Sequence, residues 1–223
     1  VRPLGIDSRV PRLSWKLESG NLKLETRSVA EIARGVRQRA YQILVASSEE
    51  LLKQDKGDLW DSGKVASDQS VNVEYAGKPL TSNQRCFWKV RVWTSRLETS
   101  ATGSGVLSPE SKNTSSWSNV ALFSMGLLDP SDWQGEWIRF QQADNIKHIW
   151  YRKTFALESV PESAFAYLAS IGYHELYVNG ERIGDRVLSP GVTDLEKRAL
   201  YVTYDIKSKL KKGDNVIAVW TGP

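Results

Sequence analysis

Apolar and polar residues alternate with period two along most of this chain, and long helical periodicity is scarce. Successive side chains of a strand leave opposite faces, so this alternation predicts β-structure. In the first half it predicts short strands over Arg12–Leu17, Tyr41–Ala46, Leu59–Lys64, Val71–Tyr75, Cys86–Thr94 and Val120–Met125. Turn chemistry separates them at Asp61-Ser62-Gly63, Ala76-Gly77-Lys78-Pro79 and Ser82-Asn83. Six or seven short strands in about 125 residues suit a β-sandwich of the immunoglobulin or fibronectin type III kind. Ser47–Lys53, SSEELLK, predicts one short helix, with a serine cap and acidic residues in its first turn. Within Phe87–Trp93, the residues Trp88, Val90 and Val92 share the face expected to enter the core. Lys89 and Arg91 are expected to point outward, covered by Trp93.

The second half keeps the rhythm. Strands are predicted over Glu136–Phe140, Ile149–Leu157, Ala164–Ser170, Tyr173–Val178, Ala199–Tyr204 and Asn215–Trp220. Asn179-Gly180 marks a hairpin, because both residues tolerate the positive φ of a type I′ turn. Ser189-Pro190-Gly191 marks a further turn. A boundary is expected at Asp129-Pro130-Ser131-Asp132, which gives one sandwich over 1–128 and another over 129–223. The whole is therefore all-β, two consecutive sandwiches. The polar stretches Gly20–Arg34 and Arg96–Ser116 break the strand rhythm, and the second is expected to be a loop joining the last two strands.

Composition narrows the function. The net charge is +4, but Lys and Arg are interspersed with acidic residues, and the run Lys207, Lys209, Lys211, Lys212 suits a solvated strand end. No nucleic-acid partner is expected. One cysteine, Cys86, allows no intrachain disulfide and reads as a small apolar residue on a strand. There is no leader-like segment and no apolar run of 18 residues, so no membrane span is expected. Two histidines, His148 and His174, lack metal-ligand spacing. His174 falls on the apolar face of its strand, where a hydrogen-bonded core-edge histidine is expected. The polar residues most concentrated between strands are Asp185, Asp194, Glu196, Lys197 and Arg198. Such a group offers the paired donors and acceptors that a sugar hydroxyl needs, and it also suits a solvated loop.

The order of several motifs resembles one family. They are PLGIDSRVPRLSWKLES, RGVRQRAYQILVASS, GDLWDSGKV, YAGKPL, FWKVRVW and WSNVALFSMGLLDPSDW, then WQGEWI, YRKTFAL, GYHELYVNGERIGD, LSPGVTD and YVTYDI. Together they resemble the fibronectin-like and jelly-roll N-terminal domains of bacterial α-L-rhamnosidases, glycoside hydrolase family 78. The resemblance implies an inverting hydrolase of terminal α-L-rhamnose whose carboxylates sit on an (α/α)6 barrel. No part of that barrel is in this sequence, so no catalytic residue is assigned and the segment is expected to be inactive alone.

The resemblance also implies that the jelly-roll is incomplete, because the family continues past the equivalent of VIAVWTG. The expected role is an accessory region of a rhamnosidase-like enzyme. The alternative is a stand-alone rhamnose-binding module without hydrolase activity. Candidate sugar-binding residues are Asn179, Asp185, Asp194, Lys197 and Arg198. Calcium is the cofactor expected if the jelly-roll binds sugar, and none otherwise; no metal ligand is assigned. Val192 and Leu195 stand where the family often has aromatic rings, which removes stacking surface. Expected partners are a rhamnose-containing glycan and the catalytic barrel of a parent chain. The expected location is bacterial, periplasmic or extracellular rather than cytoplasmic.

Overall fold

The structure, a computed structural model, describes residues 3–17, 36–99, 105–107, 114–140 and 148–222. The polar stretch Gly20–Arg34 lies outside the described residues. The chain forms two compact units, Val1–Asp132 and Trp133–Pro223, and both are β-sandwiches.

The first unit is organised by two long antiparallel strands, β2 (Val36–Ala46) and β5 (Arg85–Thr99). Around them lie β1 (Arg12–Leu13), β3 (Trp60–Asp61), β4 (Val73–Glu74), β6 (Gly105–Leu107) and β7 (Ala121–Ser124). One sheet has the order β3–β2–β5–β6, with β7 also on β5; β1 and β4 form a second, small sheet. Alternation decides the core. Tyr41, Ile43 and Val45 of β2 and Val90 and Val92 of β5 face inward with Leu13, Val73, Tyr75 and Phe123. Burying one such side chain fully contributes about 1.5–3 kcal/mol. A bulge between Gln38 and Ala40 shifts the register of β2. Gln38 is buried, and its amide accepts from Trp15 Nε1 (3.0 Å) and donates to Ser67 O and Gln69 O.

The other face of this sheet departs from expectation. Lys89 is buried, not outward in solvent. Helix α1 (Glu49–Lys53) lies over that face, where Leu52 packs with Leu44 and Ala46 and, at the margin, Phe87 and Trp117. Ser48 caps its start, and its last turn closes with Asp55 N on Leu52 O and Lys56 N on Leu51 O. Lys89 Nζ donates to Leu52 O (2.5 Å) and pairs with Asp55, whose carboxyl is held below the usual range by that hydrogen bond. The indole of Trp117 lies 4.7 Å from Lys89 Nζ and 4.6 Å from the Arg91 guanidinium, and Trp93 covers Arg91 at 5.2 Å. A cation–ring contact contributes from about 0.5 kcal/mol when exposed to about 2 kcal/mol when desolvated. The helix and Trp117 come from segments distant in sequence, so alternation alone missed this layer.

Further expectations change. β1, β3 and β4 are two residues long each, not Arg12–Leu17, Leu59–Lys64 and Val71–Tyr75. The polar stretch Arg96–Ser116 is not all loop, because β5 runs on to Thr99 and pairs with β6.

In the second unit, β8 (Ile149–Leu157), β10 (His174–Val178), β11 (Glu181–Arg182) and β13 (Gly213–Thr221) form a sheet ordered β11–β10–β13–β8. It packs on a two-stranded sheet of β9 (Phe165–Ala169) and β12 (Tyr201–Asp205). Leu176, Val178, Val202, Tyr204 and Ile206 are the buried centre, joined by Ala166, Leu168, Ile217 and Val219. Glu136–Phe140 is not a strand. Alternation makes a strand only where a neighbour supplies the ladder, and that segment has none among the described residues. Trp137, Ile138 and Phe140 are instead exposed.

Candidate functional site

The second unit holds every candidate sugar-binding residue named from the sequence. Asn179 sits at the β10–β11 turn with φ 52°, followed by Gly180 at φ 86°. Its side chain is fully engaged. Nδ2 donates to Lys209 O (2.7 Å) and Asn215 Oδ1 (2.9 Å), and Oδ1 accepts from Val216 N (2.9 Å). Asn215 is wholly buried and in turn holds Lys211 and Gly213. Asn179 therefore ties the hairpin to the start of β13.

Asp194, Lys197 and Arg198 come together in one exposed turn. Asp194 O accepts from the amides of Lys197 and Arg198, each at 3.0 Å, and its carboxylate pairs with Lys197 Nζ at 2.9 Å. Arg198 Nε reaches Thr193 Oγ1 at 3.4 Å. Asp185 lies apart from this turn in sequence, exposed on the bend after β11. The turn borders a cavity of about 170 Å³ lined by Tyr173, Pro190, Thr193 and Leu200. Val192 and Leu195 also line it, and both are exposed.

His174 is buried between Ser170 and Tyr204. Ser170 Oγ donates to Gly172 O (2.8 Å) and lies 2.7 Å from His174 Nδ1; His174 Nε2 lies 3.0 Å from the Tyr204 hydroxyl. The hydroxyl proton of Ser170 is spent on Gly172, so the consistent assignment has Nδ1–H donating to Ser170 and Nε2 accepting from Tyr204. Burial lowers the His174 pKa to about 4. The ring is neutral at pH 7 and both its nitrogens are occupied, so it serves the core rather than proton transfer.

Two surfaces of this unit were not foreseen. A cavity of about 570 Å³, mainly apolar, opens between β8 and β9, lined by Trp133, Trp137, Ile138, Tyr151, Tyr167 and Ile171 among others. On the outer face of the four-stranded sheet, Trp150 stacks on Trp220 (5.8 Å between centroids, 17° between planes). Trp150 also meets Tyr177 at 5.5 Å, and His148 meets Trp220 at 5.7 Å. Beside them Glu175 accepts from the Tyr177 hydroxyl (2.7 Å) and from Arg182 (2.8 Å). Period-two alternation already puts Trp150 and Trp220 off the core-facing side of their strands. Their meeting depends on the β8–β13 register, which the sequence does not display.

Two family descriptions match the chain in the order of its units: a Rha78A-like N-terminal immunoglobulin domain over residues 1–107, and an alpha-L-rhamnosidase N-terminal domain over 159–223. An alpha-L-rhamnosidase of Formosa agariphila is 32% identical over 99% of this chain. The chain belongs to the α-L-rhamnosidase family. It spans about a quarter of the length of the relatives it matches, 23% for the Formosa rhamnosidase. Two solved α-L-rhamnosidases share its architecture over 99% of its length. The one from Dictyoglumus thermophilum has a TM-score of 0.78 at 34% identity, with 24% of that chain covered. The one from Aspergillus terreus has 0.72 at 28%, with 22% covered.

Among the described residues of this rhamnosidase-family chain, the side chains do not assemble a calcium donor set. Among the described residues no three His, Cys, Asp or Glu side chains gather, and the Asp194 carboxylate is already paired with Lys197. Calcium prefers six to eight oxygen ligands. No helix among the described residues is long and apolar enough to cross a membrane.

Proposed function

We propose that these two sandwiches are the N-terminal accessory region of an α-L-rhamnosidase-type glycoside hydrolase, which removes terminal α-L-rhamnose from glycosides or polysaccharides. The observation that carries this reading is the match over 99% of the chain to rhamnosidases about four times its length. In this reading the catalytic carboxylates lie on a separate barrel, and the sandwiches pack against that barrel and help position it. The exposed Trp137 and Ile138 and the apolar cavity beside them support a surface that is covered in a larger assembly. The enzyme works in the periplasm or outside a bacterial cell, on a rhamnose-containing glycan.

The apolar surface gives a direct test. The chain alone should bind the dye 8-anilinonaphthalene-1-sulfonate in its native state, and Trp137→Ser should reduce that binding. A native chain that leaves the dye dark would overturn the covered-surface reading.

A further inference from the structure

The outer face of the β11–β10–β13–β8 sheet has a composition that packing does not require. On an ordinary solvated sheet face the outward positions are polar. Here, side chains from three neighbouring strands build an aromatic strip: Trp150 from β8, Trp220 from β13 and Tyr177 from β10, with ring centroids 5.5–5.8 Å apart. Trp150 remains 60% exposed at the outside of that strip. It is the one large apolar residue so exposed among the described residues of these four strands.

The polar partners are equally specific. Glu175 lies directly across from Trp220 in the β10–β13 register, and Tyr177 across from Arg182 in the β10–β11 register. The Tyr177 hydroxyl and the Arg182 guanidinium both donate to the two oxygens of Glu175. These groups stand on strands rather than loops, so little ordering entropy is lost when a ligand arrives.

We propose that this face binds a pyranose glycan, with Trp150 and Trp220 stacking on the apolar face of a sugar ring and Glu175 and Arg182 meeting its hydroxyls. A sugar ring presents C–H groups on one side and hydroxyls around its edge. The strip answers the first with aromatic rings and the second with a carboxylate and a guanidinium held side by side. Its narrowness selects the occupant. A stable protein contact covers about 800 Å² per partner around a desolvated centre. Here the exposed aromatic surface is bordered by Arg152, Thr154 and Arg182, all exposed. A single aromatic spot in a charged field suits one or two sugar rings. The site is separate from the Asp194–Arg198 turn and requires no metal, and it does not depend on the accessory role proposed above.

Affinity electrophoresis tests it. The full chain is run in native gels containing rhamnogalacturonan, xylan or hydroxyethyl cellulose, beside Trp150→Ala, Glu175→Gln and, as a control on an unrelated exposed loop, Val187→Ser. Urea denaturation checks that each variant is folded, and sedimentation velocity gives its association state. The expected result is retardation of the wild type and of V187S in at least one gel. W150A should lose about tenfold in affinity or more, and E175Q should be weakened while remaining folded. Three results would each overturn the proposal: wild type unretarded in every gel, W150A retarded like the wild type, or a wild-type dimer that W150A converts to monomer. The last would mean that the face receives a protein chain instead.

Discussion

Asn179→Ala separates a structural asparagine from a ligand-binding one. The side chain makes three hydrogen bonds, to Lys209 O, Asn215 Oδ1 and Val216 N. Each contributes about 1 kcal/mol net. The residue also sits at φ 52°, a left-handed conformation that costs an alanine about 1 kcal/mol. The expected loss is therefore about 4 kcal/mol, a large part of what a domain of this size has to spare. Asn179→Gly relieves the backbone strain but keeps the hydrogen-bond loss, so about 3 kcal/mol is expected. Hydrogen exchange measured along a urea series, read on peptides from β10 and β13, isolates the second unit from the first. The midpoint should fall with little change in slope. A loss below about 1 kcal/mol for N179A would refute the structural reading and leave the amide free for a ligand. Equal losses for alanine and glycine would refute the backbone part.

His174 makes stability depend on pH. Its folded pKa, about 4, lies below the unfolded value of 6.5, so the unfolded chain binds the extra proton first. Stability is full above pH 6.5, falls as the pH drops towards 4, and loses about 3 kcal/mol in total; urea midpoints across that range for wild type and His174→Gln read it, and a wild type whose slope matches H174Q contradicts it. Cys86 is fully buried, and burial raises its thiol pKa to about 12, so a disulfide-exchange reagent such as Ellman's should react only after denaturation; rapid reaction of the native chain would contradict that burial. Lys89→Met keeps the aliphatic stem but leaves Leu52 O and Asp55 without their ammonium partner. The expected cost is about 2 kcal/mol in the first unit, measured by the same exchange method on β5 peptides, and a stabilised variant would contradict it.

Local patterns are legible in the sequence itself. The alternation of His174, Leu176 and Val178 against Glu175 and Tyr177 predicts the inward and outward faces of β10 as they are found. The Asn-Gly hairpin, the serine cap of α1 and the buried, hydrogen-bonded His174 follow from residue chemistry within a few positions. The closeness of Asp194, Lys197 and Arg198 was equally local. What escaped depended on distant partners. Lys89 reads as an outward cation until α1 and Trp117 arrive over it. Asn179 reads as a sugar ligand or a turn residue until Asn215 claims its amide. Glu136–Phe140 alternates like a strand but finds no ladder among the described residues. Trp150 and Trp220 become one surface only through the pairing of β8 with β13.

The accessory role is tested most directly by hydrolysis. The purified chain is incubated with an aryl α-L-rhamnoside at high protein concentration, beside an intact α-L-rhamnosidase as a positive control. The chain alone should release no phenol above the protein-free blank, because the proposed accessory role puts the catalytic carboxylates on a separate barrel. Catalytic release that follows the chain through successive purification steps would contradict the account and place the active site within these sandwiches.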